Sequence, residues 1–167
     1  MERLGIKYFL MFVVLLAVQV LFLNQIQFSG FINPYIYILF IMLLPLNSPR
    51  YSILLLAFFM GLSVDIFSNS LGIHSAASVF IAYLRPYIIR AISNREEELS
   101  DYPGLAQNGI GWFISYTAIM VVLHHFVLFY IEVFTFANFF STLYRVFLSS
   151  VFSIFVIVLS QFIIFRE

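Results

Sequence analysis

Side chains able to do chemistry are scarce in this chain, and most sit among apolar neighbours. Asp65 falls within an apolar stretch from Ala57 to Pro86. A carboxylate in a lipid-embedded segment is costly, so it marks a functional or structural site. His74 follows in the same stretch, and His124, His125, Glu132 and Arg145 come later. A buried carboxylate beside an imidazole can pass a proton, hold a polar substrate or partner, or knot helices together. Catalysis finds less support. Ser, His and Asp all occur, but no Gly-x-Ser-x-Gly elbow accompanies them. The run Gly109-Ile-Gly111 is too short to cradle a phosphate. No spacing supports a metal site, and the absence of Cys removes thiolate chemistry and disulfides. No enzyme activity and no cofactor are expected.

The elements that must position these groups are spanning helices. With 63% hydrophobic and 10% charged residues and a mean hydropathy of +1.04, the chain is far from the roughly 25% charged content of soluble domains. It reads as a polytopic, all-α integral membrane protein forming a single transmembrane domain over residues 1–167. A span needs roughly 20 apolar residues. That rule predicts six transmembrane helices, at about 6–23, 33–46, 51–67, 71–89, 110–131 and 139–165. The second is short, so it tilts little, starts nearer Phe28 or ends in a broken turn. The first follows Arg3 and Lys7 as a signal peptide would, but without a small-x-small cleavage site before Asn24 it reads as a retained span. Ser93 to Asn108 forms the one long polar loop, a solvated linker or a docking surface. The net charge of zero gives no reason to expect nucleic acid.

Basic residues orient the spans. Arg3, Lys7, Arg50, Arg85, Arg90, Arg95 and Arg166 fall on one side of a six-span arrangement, which puts both termini in the cytoplasm. Arg145 is the exception, placed near the outer side, and calls for an acidic partner or snorkelling.

Helical spacing gathers the small and polar residues into stripes. Ala57, Gly61 and Asp65 share one face of the third helix, and His74, Ser78, Ala82 and Arg85 share one face of the fourth. Small residues let such faces approach closely in lipid. Asn69, Ser70 and Gly72 make the turn between the two helices. A hairpin centred between Asn69 and Ser70 sets Asp65 and His74 at equal depth, within hydrogen-bonding reach. Arg85 is about 16 Å deeper at 1.5 Å per residue, an interface residue rather than a partner of Asp65. His124 and His125 point about 100° apart, so at most one is expected to face the cluster.

With Gly61-Leu-Ser-Val-Asp65, followed by Leu71-Gly72 and Ala82-Tyr83-Leu84, the chain resembles the rod shape-determining MreD family. Length, span number and the basic loop after the fourth span extend the resemblance over the whole chain. It implies a bacterial inner-membrane scaffold of the cell-elongation machinery, without enzyme activity, that helps regulate peptidoglycan synthesis and rod shape. Implied partners are MreC and, through it, the MreB filament and the peptidoglycan glycosyltransferase and transpeptidase pair, besides membrane lipid. The implied fold is similar to the substrate-binding subunit of energy-coupling-factor transporters. A small-molecule-binding transporter subunit is the alternative, against which stands an apparent shortage of pocket-type polar groups. Ala57, Gly61, Asp65, Gly72, His74, Ser78, Ala82 and Arg145 are the candidate structural or partner-binding residues.

Overall fold

Apolar runs of this length satisfy their backbone internally, and lipid leaves the helix as the natural outcome. The computed structural model describes residues 2–25, 32–93, 101–135 and 138–164. Among them the architecture is all-helical: α1 (Glu2–Leu21), α2 (Ile38–Leu43), α3 (Arg50–Ser68), α4 (Ile73–Ile92), α5 (Leu105–Asn108), α6 (Ile110–Val133) and α7 (Phe139–Ile164). A 3-10 turn at Leu23–Gln25 ends α1. Among the described residues, four helical stretches are long and apolar enough to cross a membrane: Gly5–Gln25, Arg50–Ser68, Ile110–Val133 and Phe139–Ile163. The α4 helix has 20 residues but carries Arg85 and Arg90.

Helices α3 and α4 form the most extensive contact, α4 packs on α6, α6 on α7, and α1 on α3. In the α3–α4 hairpin Asn69 closes α3 in the left-handed region at φ 56°, and Gly72 leads into α4 at φ 81°. Glycine adopts such a φ without the steric cost that a Cβ adds.

The expected span at 33–46 is not one helix. Residues 33–36 carry no regular structure, a turn at Tyr37 follows, and only six residues then form α2. Every residue from Pro34 to Leu44 is nevertheless buried, and Tyr37 to Met42 are essentially inaccessible. Pro34 has no N–H to donate and biases the chain before it toward extended backbone. Pro45 then stops α2 early, since a helix ends at or before the residue preceding a proline.

Non-helical backbone at membrane depth is tolerated only where protein supplies its hydrogen bonds, and neighbouring helices do so here. Gln19 of α1 accepts from the N–H of Ile36 at 2.8 Å and donates to the carbonyl of Pro34 at 3.1 Å. From α7, Ser149 accepts from the N–H of Asn33 at 3.1 Å and Ser153 from that of Tyr35 at 2.9 Å. At the far end Arg85 donates to the carbonyls of Met42 and Leu44, and Tyr116 donates to that of Met42 at 3.2 Å. Arg85, 2% exposed, is thus enclosed by protein and closes the C-terminus of α2. As a cation at a helix C-terminus it also meets the negative end of the helix dipole.

The described half of the polar loop is not a free linker. Pro103 and Gly104 are buried, and Asp101 accepts from the N–H of Leu46 through its carbonyl and from Asn47 through its carboxylate. The rest of that loop, 94–100, lies outside the described residues, as do Arg166 and the end of the last expected span.

Because one amide serves both a donor and an acceptor of the buried segment, Gln19→Leu should destabilise the protein by about 2–4 kcal/mol, two buried polar groups losing their partner. Equilibrium unfolding in mixed detergent micelles measures it; an unchanged transition would mean that the segment finds other partners.

Candidate functional site

Asp65, His74 and Ser75 are buried together where α3 turns into α4, and α4 starts without a cap of its own. Gly72 precedes it and no side chain at that position caps the helix. The first N–H groups of a helix need outside acceptors, and the carboxylate of Asp65 supplies them from the last turns of α3. Its Oδ1 accepts from the N–H of His74 at 3.0 Å and from the hydroxyl of Ser70 at 2.6 Å. Its Oδ2 accepts from the N–H of Ser75 at 2.9 Å and from the Ser75 hydroxyl at 2.6 Å. The Nδ1 of His74 lies 3.0 Å from Oδ1; facing a carboxylate, that nitrogen is the donor. The backbone carbonyl of Asp65 also accepts from the N–H groups of Asn69 and Ser70. One residue therefore terminates α3 and caps α4.

Gly61, one turn before Asp65, sets how close the helices come. A Cβ there would lie 2.5 Å from the Cα of Ser75 and 2.6 Å from the carbonyl oxygen of His74. These are backbone atoms, so any side chain would force α4 away from α3 and pull its N-terminus off the carboxylate. Ala57 is buried on the same face of α3, and Ser78, Ala82 and Arg85 continue the buried face of α4 below His74.

His124 and His125 are both fully buried, each with a partner other than Asp65. Helix α6 is covered on several sides, by α4, by α7 and by the segment entering α2, so adjacent side chains each meet protein. His124 Nε2 bonds the hydroxyl of Tyr37 at 2.6 Å. His125 Nδ1 lies 2.8 Å from the carbonyl of Val121, which can only accept, so Nδ1 carries the proton. Its Nε2 then accepts from Ser153, 3.1 Å away. The ring of Tyr35 touches all three histidines, with centroid distances of 5.3 Å to His74, 6.0 Å to His124 and 5.3 Å to His125.

Arg145 has its acidic partner. Its two terminal nitrogens lie 3.1 and 3.2 Å from the two carboxylate oxygens of Glu132, and its guanidinium stacks 4.1 Å from the ring of Phe129. Above His74 a cavity of about 570 Å³ opens at this end of the bundle, lined by Asn24, Asn33, Asn69, His74, Glu132 and Arg145 among others. Its walls are far more polar than composition suggests, because chain turns deliver amides and hydroxyls to it. The Nε2 of His74 has no partner among the described residues.

Several structurally decisive residues carry only weak sequence signals. Gln19 interrupts an apolar run, and Ser149 with Ser153 repeats at helical spacing in α7. Each resembles a tolerated polar residue until the unpaired backbone beside it is seen.

Comparison with family models, with curated proteins and with solved structures finds no match for this chain.

Chemically, the arrangement is a fastener. Asp65 is 3% exposed and its oxygens already accept five hydrogen bonds, which leaves it no capacity to act as a base toward a solute. Asp65→Ala should cost about 2–4 kcal/mol through the orphaned N–H groups. A double-mutant cycle with Ser75→Ala, read by unfolding in detergent, should give a coupling of about 0.5–3 kcal/mol; strict additivity would show that the two side chains act independently.

Proposed function

We propose that this chain is a non-enzymatic scaffold of the bacterial inner membrane, an MreD-like subunit of the cell-elongation machinery that binds MreC. Through MreC it would be linked to MreB and to the glycosyltransferase and transpeptidase pair that builds peptidoglycan. The observation that carries this reading is the saturation of Asp65. The most conspicuous carboxylate of the chain is consumed in joining two helices, as suits a rigid docking platform better than a catalyst. The Gly-x-x-x-Asp spacing that underlies the family resemblance is the same pair of residues that sets the close approach and the cap.

In this reading the chain traverses the bilayer six times, with both termini and the arginine-rich end in the cytoplasm. Helix α4, about 30 Å long at 1.5 Å per residue, crosses beside α3. The segment from Asn33 to Leu44, about 25 Å as part-extended and part-helical chain, crosses through the interior. The partner's spanning helix would lie on the perimeter of the α3–α4 hairpin, where Tyr51, Leu55, Phe59, Tyr83 and Tyr87 are exposed.

Copurification from native membranes tests the proposal. Asp65→Asn places an amide where five donors converge, so the hairpin should loosen and recovery of MreC should fall several-fold while the chain remains in the membrane. Normal abundance with undiminished association would sink the reading.

The cavity above His74 favours a second reading, a small-molecule-binding subunit of a transporter. Its polar lining removes the objection that the chain is poor in pocket-type groups. A solute retained through purification, and lost on His74→Phe, is the expected outcome in that case. A purified chain that carries no solute, identified by mass spectrometry of the denatured sample, would count against it.

A further inference from the structure

At the opposite end of the α3–α4 hairpin, antiparallel packing brings the first residues of α3 beside the last turns of α4. A second cleft of about 360 Å³ lies there. Three arginines line it, Arg50, Arg85 and Arg90, together with Ser48, and no carboxylate does so among the described residues. Arg85 is buried and, among the described residues, bonds only neutral groups, the carbonyls of Met42 and Leu44 and the hydroxyl of Tyr116 at 3.0 Å. Arg50 and Arg90 are exposed, and Arg50 stands 6.0 Å from the ring of Tyr87. Helix α3 adds positive potential, since Pro49 at its N-cap makes no side-chain cap and its first N–H groups point out of the helix. The nearest described acid along the adjoining loop, Asp101, is engaged by Asn47 and Leu46.

Apart from Tyr83, the remaining walls are apolar: Leu46, Ile53, Leu54, Ala82, Pro86 and Ile89. A cleft with a cationic floor at the end of a spanning hairpin and apolar sides along it matches an amphiphile, its anionic head at the water boundary and its tail in hydrocarbon. Arginine presents paired donors suited to phosphate oxygens, and basic pockets between spanning helices hold anionic headgroups.

We infer that this cleft binds the phosphate of an anionic phospholipid, with Arg50 and Arg90 as the outer contacts, the Arg85 charge behind them, and an acyl chain lying along Ile53, Leu54 and Pro86. The site does not rest on the scaffold reading, because its charges are ones that Asp65 does not touch, although its rim at Tyr83 and Tyr87 adjoins the face proposed for the partner helix.

The test uses the full chain reconstituted in nanodiscs of phosphatidylcholine and phosphatidylglycerol at seven to three. The protein is re-extracted in mild detergent and the retained lipid quantified by mass spectrometry. Phosphatidylglycerol should be enriched over its bulk fraction, and Arg50→Gln and Arg90→Gln should each lower that enrichment about fivefold, the weight of one arginine near a charged surface. Both substitutions are on exposed side chains, so folding should survive, and unchanged retention of phosphatidylcholine checks it. Enrichment that is absent, or equal in the variants, overturns the inference. If inorganic phosphate alone stabilises the detergent-solubilised chain in an Arg50-dependent way while phosphatidylglycerol does not, the source is a soluble phosphate and the lipid is excluded. The glutamates of the neighbouring loop offer a rival anion. Replacing Glu96, Glu97 and Glu98 by Gln should leave lipid retention unchanged, and a several-fold gain would mean that this segment, not a lipid, occupies the cleft.

Discussion

Every backbone N–H or C=O that leaves a helix inside hydrocarbon must find a partner in the protein, because no water is there to supply one. Much of this structure follows from that constraint at two places. At the α3–α4 turn, the start of α4 lacks a cap and Asp65 provides it. In the interior, the chain from Asn33 to Leu44 is only half helical, and Gln19, Ser149, Ser153, Tyr116 and Arg85 take up its unpaired groups. Gln19, Asp65, Arg85, Ser149 and Ser153, all deeply buried, thus serve backbone before they serve any ligand.

The two solutions are mechanically linked. The interior segment runs between the cavity end, where Asn33 meets Ser149, and the basic end, where Arg85 grips the last carbonyls of α2. Arg85 stands on α4, the helix that Asp65 caps at its other end. Gly61 allows α3 and α4 to approach closely enough for that cap. A displacement of α4 would therefore disturb the cap and the grip on α2 together. This supports a rigid frame carrying two differently charged openings: a mixed polar cavity with a paired Arg145–Glu132 couple, and a cleft whose described charges are all positive.

The hairpin was legible in the sequence because its signals are local. Four-residue spacing puts Ala57, Gly61 and Asp65 on one face, and a short turn sets Asp65 near His74 by depth alone. The interior segment was not legible in the same way. Its apolar content, from Tyr35 to Leu44, reads equally as lipid-facing helix or as fully buried chain, and periodicity cannot separate the two. Pro34 and Pro45 mark its limits, yet nothing local shows that Gln19 or Ser153, distant in sequence, is waiting for its backbone.

Composition and hydropathy by themselves determined that this is a helical membrane protein, since so few charges and so much apolar length leave no other solvent for it. They also determined which faces of α3 and α4 can pack, since helix geometry turns residue spacing into position. Only the tertiary structure decided that Arg85 is enclosed by protein and closes α2, that both His124 and His125 are enclosed, and that the region 33–46 threads the core instead of forming one straight helix. The physical reason is common to all three. A polar group's place depends on which unsatisfied partner the folded chain brings to it, and that partner comes from residues far away in sequence.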